Sequence, residues 1–234
     1  MKIKGRKFGF TLTEIMIALT ILGVIAALTV PGMRRDYTRR QFETAISKFY
    51  TDLMQVGPLS QVTSGKNNLS QNPSFFSNPN GCGANDGMWA KEYLRADCRG
   101  QGAVAPASGK TNGFAVSYRS LNGNQTLSRS NLCNDESGAT TFVLDGGQVL
   151  CSWKYSNDEG STYNLAIYVD MNGSKAPNIA GLDFFRLDMN LSDYNGDVYE
   201  NFSGASAVES CKSSAGATGC FKSIQDNNLK ITYY

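Results

Sequence analysis

The chain has no histidine in its 234 residues. That removes the side chain that titrates most readily near neutral pH, and with it the commonest general base and the usual Ser-His and Cys-His nucleophilic pairs. No glycine-rich phosphate loop follows a predicted strand. Nor do any two carboxylates stand in a glycosidase or protease signature. Charge is scarce too: Asp, Glu, Lys and Arg make up 18% of the residues, 22 cations against 20 anions, so no broad basic surface is available for nucleic acid. The composition carries no positive sign of catalysis, and we expect no enzyme activity, no cofactor and no nucleic-acid partner.

Six cysteines are present, Cys82, Cys98, Cys133, Cys151, Cys211 and Cys220. Their spacings are not those of zinc knuckles, and without histidine metal ligation by these thiols is disfavoured, so no metal site is expected. An even set in an oxidising compartment forms three disulfides most simply, among fifteen connectivities.

Against these absences stands one long apolar run. Residues 15–30 carry no charge and only Thr20 and Thr29 as hydroxyl residues. Before them come a basic leader with Lys2, Lys4, Arg6 and Lys7, and then Gly9-Phe10-Thr11-Leu12-Thr13-Glu14. Residues 10–30 as a helix rise roughly 30 Å, the thickness of a bilayer's hydrocarbon core. The span inserts despite Glu14, because eleven strongly apolar residues each favour insertion by about 0.3–0.6 kcal/mol, against about 3 kcal/mol for one charge. A carboxylate within a span still calls for a partner or a task; the plainer alternative is that Glu14 reaches the headgroups. Thr11 and Thr13 are expected to return their hydroxyls to backbone carbonyls of the same helix.

Residues 9–31, with Gly9, aromatic Phe10, Glu14 in an uncharged helix and Pro31 beyond it, closely resemble the N-terminus of type IV prepilins and of type II secretion pseudopilins. The resemblance covers about the first tenth of the chain. It implies that a membrane-embedded aspartyl prepilin peptidase cuts after Gly9 and methylates Phe10. It also implies that Glu14 pairs with the N-terminal amine of a neighbouring subunit as a filament grows. An ammonium beside a carboxylate in low dielectric offsets the cost of burying both. Arg34, Arg35, Arg39 and Arg40 follow the span and equal the leader's four cations, so counting Lys and Arg does not orient it. The cleavage motif does: leader in the cytoplasm, everything after Pro31 outside. Those arginines read either as a solvated helix face broken by Asp36 and Glu43, or as contacts to other subunits or lipid phosphates. Loss of the leader takes the net charge from +2 to about −2.

The implied organisation is α+β and pilin-like, a long N-terminal helix on an antiparallel β-sheet head. Its parts are a removed leader (1–9), a membrane and assembly helix (10–31), an amphipathic half (32–57) and a globular β-rich head (58–234). Phe42, Ala45, Ile46, Phe49, Leu53 and Val56 form one apolar helix face, and Gly57-Pro58 reads as its end. Pro31 should kink or loosen the helix. Residues 58–112 read as loops with a short helix at 89–93, and strands are predicted over 113–121, 140–144, 148–155, 163–170, 182–189 and 229–234. Asp145-Gly146-Gly147 marks a hairpin.

Asp170-Met171-Asn172-Gly173, running to Pro177-Asn178 and Asp183, resembles a loop of many pilin-like heads. Asp170, Asn172 and Asp183 could offer oxygens to calcium, but Lys175 and the absence of a twelve-residue calcium loop favour a hairpin turn. Asp193-Tyr194-Asn195-Gly196-Asp197 reads the same way. Cys211 and Cys220 enclose a small-residue loop that resembles the C-terminal disulfide loop of many pilins. Cys151 and Cys133 flank a hairpin, which leaves Cys82 with Cys98.

The reading is a structural subunit of a type IV pilus-like filament. It would be stored as a single-pass inner-membrane protein with its head in the periplasm, then carried by an inner-membrane assembly platform into a periplasmic or surface filament with other copies or related subunits. The alternatives are a type II secretion pseudopilin and, from another class, a membrane-tethered ligand-binding head that does not polymerise. A mere anchor has no use for Glu14.

Overall fold

A computed structural model describes residues 9–65, 69, 94, 113–132, 140–144, 146–156, 163–191 and 204–234. The architecture is α+β, a long N-terminal helix followed by antiparallel sheets. Two compact units divide the chain, Met1–Gln41 and Phe42–Tyr234.

Helix α1 (Leu12–Ser64) begins in the first unit and ends in the second. It continues through Pro31 and, against expectation, through Gly57-Pro58. Each proline withholds one hydrogen bond, from the carbonyls of Ala27 and Met54, but the ladder resumes beyond it. At Pro58 the packing explains why: Leu53, Val56 and Ser60 are fully buried on the helix face that flanks the proline. Gly65, at φ 66°, ends the helix in the left-handed conformation that glycine adopts without steric cost.

The second unit holds a four-stranded antiparallel meander, β3 (Thr140–Val143), β4 (Val149–Ser156), β5 (Tyr163–Asp170) and β6 (Phe184–Asn190). The expected hairpin is present, with Val143 opposite Val149 and Gly147 at φ 82°. A small ribbon pairs β1 (Ser117–Arg119) with β2 (Thr126–Ser128), much shorter than the strand predicted over 113–121. Two further helices, α2 (Gly204–Ser213) and α3 (Cys220–Asp226), were given no sequence signal of their own.

The predicted final strand is absent from residues 229–234. Asn228 and Leu229 both take left-handed φ values, 55° and 61°, which turns the chain out of extended structure. The Ile231 amide then donates to Glu43 Oε1 on α1 at 2.9 Å instead of to a strand.

Alternation along β5 and β6 sorts the sheet faces. Leu165, Ile167 and Val169 lie opposite Met189, Leu187 and Phe185, and all six are buried. Phe185 meets Phe221 of α3 edge-on at 6.2 Å, and Phe221 meets Tyr50 of α1 at 5.7 Å. Helices α1 and α3 thus cover this face, and the Phe42, Ile46, Phe49 and Leu53 stripe joins the same core. Each fully buried side chain of this size contributes about 1.5–3 kcal/mol. The helix expected over 89–93 lies outside the described residues, as does the turn at Asp193-Tyr194-Asn195-Gly196-Asp197. Leu94 is described and buried.

Candidate functional site

Gly9 and Phe10 precede the helix and are exposed. Thr11 is its N-cap: the Thr11 carbonyl accepts the first helical bond, from Ile15 N at 3.2 Å. Glu14 folds back onto it. The Thr11 backbone N–H and Oγ1 donate to Glu14 Oε2 at 2.8 and 2.9 Å, while Thr11 Oγ1 accepts from Glu14 N at 3.3 Å. This is a capping box, which satisfies donors at both ends of the first turn. The expectation that Thr11 bonds a preceding helical carbonyl is therefore corrected, since no helical turn precedes it. The Thr-x-x-Glu spacing at 11–14 was the available signal.

Back-bonding does occur deeper in the run. Thr20 Oγ1 donates to the Met16 carbonyl at 2.8 Å and Thr29 Oγ1 to that of Ile25 at 2.9 Å. Both hydroxyls are thereby satisfied within the helix, as a polar group in an apolar medium must be. The surrounding side chains bury nothing: the most apolar window of α1 has mean hydropathy 2.3 and no buried residue. By length and composition this helix can cross a membrane. After it come the four arginines, with Arg39 3.5 Å from Asp36.

The other polar constellation lies in the head. Asp170, at the end of β5, is fully buried and accepts from Asn172 N at 3.0 Å and from the Tyr118 hydroxyl. Tyr118, in β1, also accepts from Ala115 N at 2.9 Å and stacks on Phe184 at 4.0 Å. Asp183 accepts from Asn178 N and Ile179 N, both at 2.7 Å. Burial is the main cause that pushes Asp170 up to about 7, with the Tyr118 and Asn172 hydrogen bonds opposing it. Burial likewise raises Asp183 to about 6, opposed by its bonds from Ile179 and Asn178. The Tyr118 hydroxyl is raised by burial and by Asp170.

All four carboxylate oxygens of the loop are thus engaged by protein donors, and the Asn172 amide donates to the Ala176 carbonyl at 3.1 Å. The loop is organised as a turn, with Gly173 at φ 69°. Sequence reasoning missed Tyr118, which stands 52 residues from Asp170 and has no local signal.

Cys211 at the end of α2 is bonded to Cys220 at the start of α3. Cys151 is also disulfide-bonded. Cys82, Cys98 and Cys133 lie outside the described residues.

Comparison with known families places the N-terminal geometry. Residues 4–30 match the profile described as the prokaryotic N-terminal methylation motif. It is the type IV pilin and pseudopilin signature. No curated protein and no solved structure matches the chain significantly. The pilin motif spans the end of the leader, Gly9, Phe10, the capping box and the apolar turns up to Val30. It supports a pilin-like or pseudopilin-like protein anchored through its apolar helix, and it implies processing by prepilin peptidase and assembly into filaments.

Proposed function

We propose that the chain is a structural, non-catalytic subunit of a type IV pilus-like filament. Prepilin peptidase cuts between Gly9 and Phe10 and methylates the new Phe10 amine. The subunit waits in the inner membrane with residues 10–31 in lipid and its head in the periplasm. An assembly platform then lifts it into a bundle of sibling helices, so apolar burial is exchanged and not lost. In that bundle Glu14 pairs with the Phe10 ammonium of a neighbouring copy. A type II secretion pseudopilin would use these residues in the same way.

One observation carries the reading: the methylation motif at residues 4–30 takes in an apolar stretch of helix whose side chains the chain itself does not bury. A helix of this kind needs lipid or other helices around it. Intact mass of the membrane-extracted protein tests it. The expected species begins at Phe10 and carries one extra methyl group; a chain beginning at Met1, or cut beyond Pro31, would overturn the proposal.

A further inference from the structure

We propose that Arg34, Arg35 and Arg40, with Tyr37 between them, form a girdle that binds anionic phospholipid headgroups at the outer face of the membrane. This inference rests on the reading of residues 10–31 as a span in lipid.

Height is the first argument. Arg34 and Arg35 lie roughly 6–8 Å along the helix beyond Val30, the last residue of the apolar run, at ~1.5 Å per residue. The headgroup layer outside the hydrocarbon core is itself about 6 Å thick on each side. Arg40 lies roughly 15 Å out, but helical side chains lean towards the N-terminus, here towards the membrane, and a long arginine reaches several ångströms back.

Circumference is the second. At ~100° per residue, with Arg34 at zero, Arg35 stands at about 100°, Arg39 at about 140° and Arg40 at about 240°. The remaining sector, about 260–300°, holds Met33 and Tyr37, which are 71% and 70% exposed. Charge on every side of one helix suits phosphates that surround it. Tyr37 adds a ring with a polar tip, the residue type that settles at membrane interfaces.

Charge is the third. Residues 34–40 hold four arginines and one aspartate, a local excess of cations in a chain whose net charge is about −2 once the leader is gone. Arg39, 3.5 Å from Asp36, is only half-exposed where Arg34, Arg35 and Arg40 are exposed, and it is left out of the proposed set. Before cleavage the leader's four cations match the four arginines; afterwards the Phe10 ammonium faces them alone, and most of the basic charge flanking the span lies on the head side. Headgroup binding there would hold the helix at its depth once the leader no longer does.

The test reconstitutes the cut chain in phosphatidylcholine vesicles with a trace of spin-labelled phosphatidylglycerol or spin-labelled phosphatidylcholine. The motionally restricted fraction of each label reports which lipid sits against the helix. Wild type should prefer the anionic label roughly fivefold, the factor expected for one cation near an anionic headgroup. The preference should fall towards one in the triple variant R34Q/R35Q/R40Q and in 1 M salt, persist in R34K/R35K/R40K, and rise in D36N, which removes the one carboxylate among residues 34–40. Glycerol phosphate in solution should displace the label no better than chloride of equal ionic strength.

Equal fractions for the two labels would overturn the girdle. So would displacement by dilute glycerol phosphate, which would make this a site for a soluble anion. Loss of self-association in the triple variant without any lipid preference would assign the arginines to a neighbouring copy instead. The membrane reading fails separately and visibly, if alkaline carbonate strips the chain from membranes or it does not float with vesicles.

Discussion

Thr11 and Glu14 hold each other at the start of α1: the Thr11 N–H reaches Glu14 Oε2 at 2.8 Å, and the Glu14 N–H reaches Thr11 Oγ1 at 3.3 Å. The carboxylate proposed to meet a neighbour's ammonium is thus already hydrogen-bonded within its own first turn. Exchange of a neutral donor for a cationic one is favourable, because it adds the direct attraction of opposite charges in a low-dielectric setting. The capping box keeps the carboxylate satisfied until that cation arrives.

The two roles of the pair separate by substitution. Thr11→Val removes the cap hydroxyl at a cost of about 1 kcal/mol to the helix start, but leaves the carboxylate, so filaments should still form. Glu14→Leu should insert at least as well as wild type and fold its head normally, yet enter filaments poorly. Sheared-filament yield, set against membrane-bound subunit, measures both; wild-type yield from Glu14→Leu would remove Glu14 from assembly.

Asp170 gives the head a pH dependence of definite sign. Burial raises its pKa from 3.8 to about 7, so the folded state holds a proton that the unfolded chain has released. Its contribution to stability is therefore present at low pH and is lost as pH rises towards 7. Asp183, raised to about 6, acts in the same direction. Urea midpoints between pH 4.5 and 7 should fall as pH rises, and Asp170→Asn should flatten the slope by up to about 1.4 kcal/mol per pH unit. An unchanged slope in that variant would remove Asp170 as the source.

Tyr118→Phe keeps the ring stacked on Phe184 but removes the hydroxyl that joins Ala115 N to Asp170. A buried N–H then loses its acceptor and a buried carboxyl loses one of its donors, at a cost of about 1–3 kcal/mol for each. Thermal unfolding of the variant should show the loss, and the Asp170 pKa should rise further because the Tyr118 hydrogen bond that lowers it is gone.

Gly181 and Gly65 make a matched pair. Both take positive φ, 81° and 66°, but a Cβ on Gly181 would lie 2.7 Å from Cys211 Sγ and 2.9 Å from Cys220 Sγ, whereas one on Gly65 would meet nothing within 4 Å. Gly65→Ala should cost only the backbone penalty, about 1–2 kcal/mol. Gly181→Ala should cost clearly more and leave free thiol at 211 and 220. Thiol titration of the two purified variants distinguishes them.

How much of this was legible in sequence depended on whether the determining contacts were local. Strand β5 announces itself through alternating Leu165, Ile167 and Val169, and the β3–β4 hairpin through Gly146-Gly147. The apolar face from Phe42 to Val56 is periodic and is core. Helices α2 and α3 are short and carry few large apolar residues, burying Ala207 and Cys211, then Cys220, Phe221 and Ile224; their stability comes from packing against the rest of the head. Gly57-Pro58 is a valid local stop signal that tertiary burial of Leu53, Val56 and Ser60 overrides. At the N-terminus the cap was written in the spacing of Thr11 and Glu14, but the Tyr118–Asp170 contact joins residues too far apart for any window to reveal.

The bond from Ile231 to Glu43 ties two distant parts of the chain together. These residues stand 188 apart, so a turn of α1 is joined to a segment synthesised far later. Until residue 231 has been made, this tie cannot form. Ile231→Pro, which withholds the donor amide, should open residues 229–234 to proteases while leaving the sheet intact.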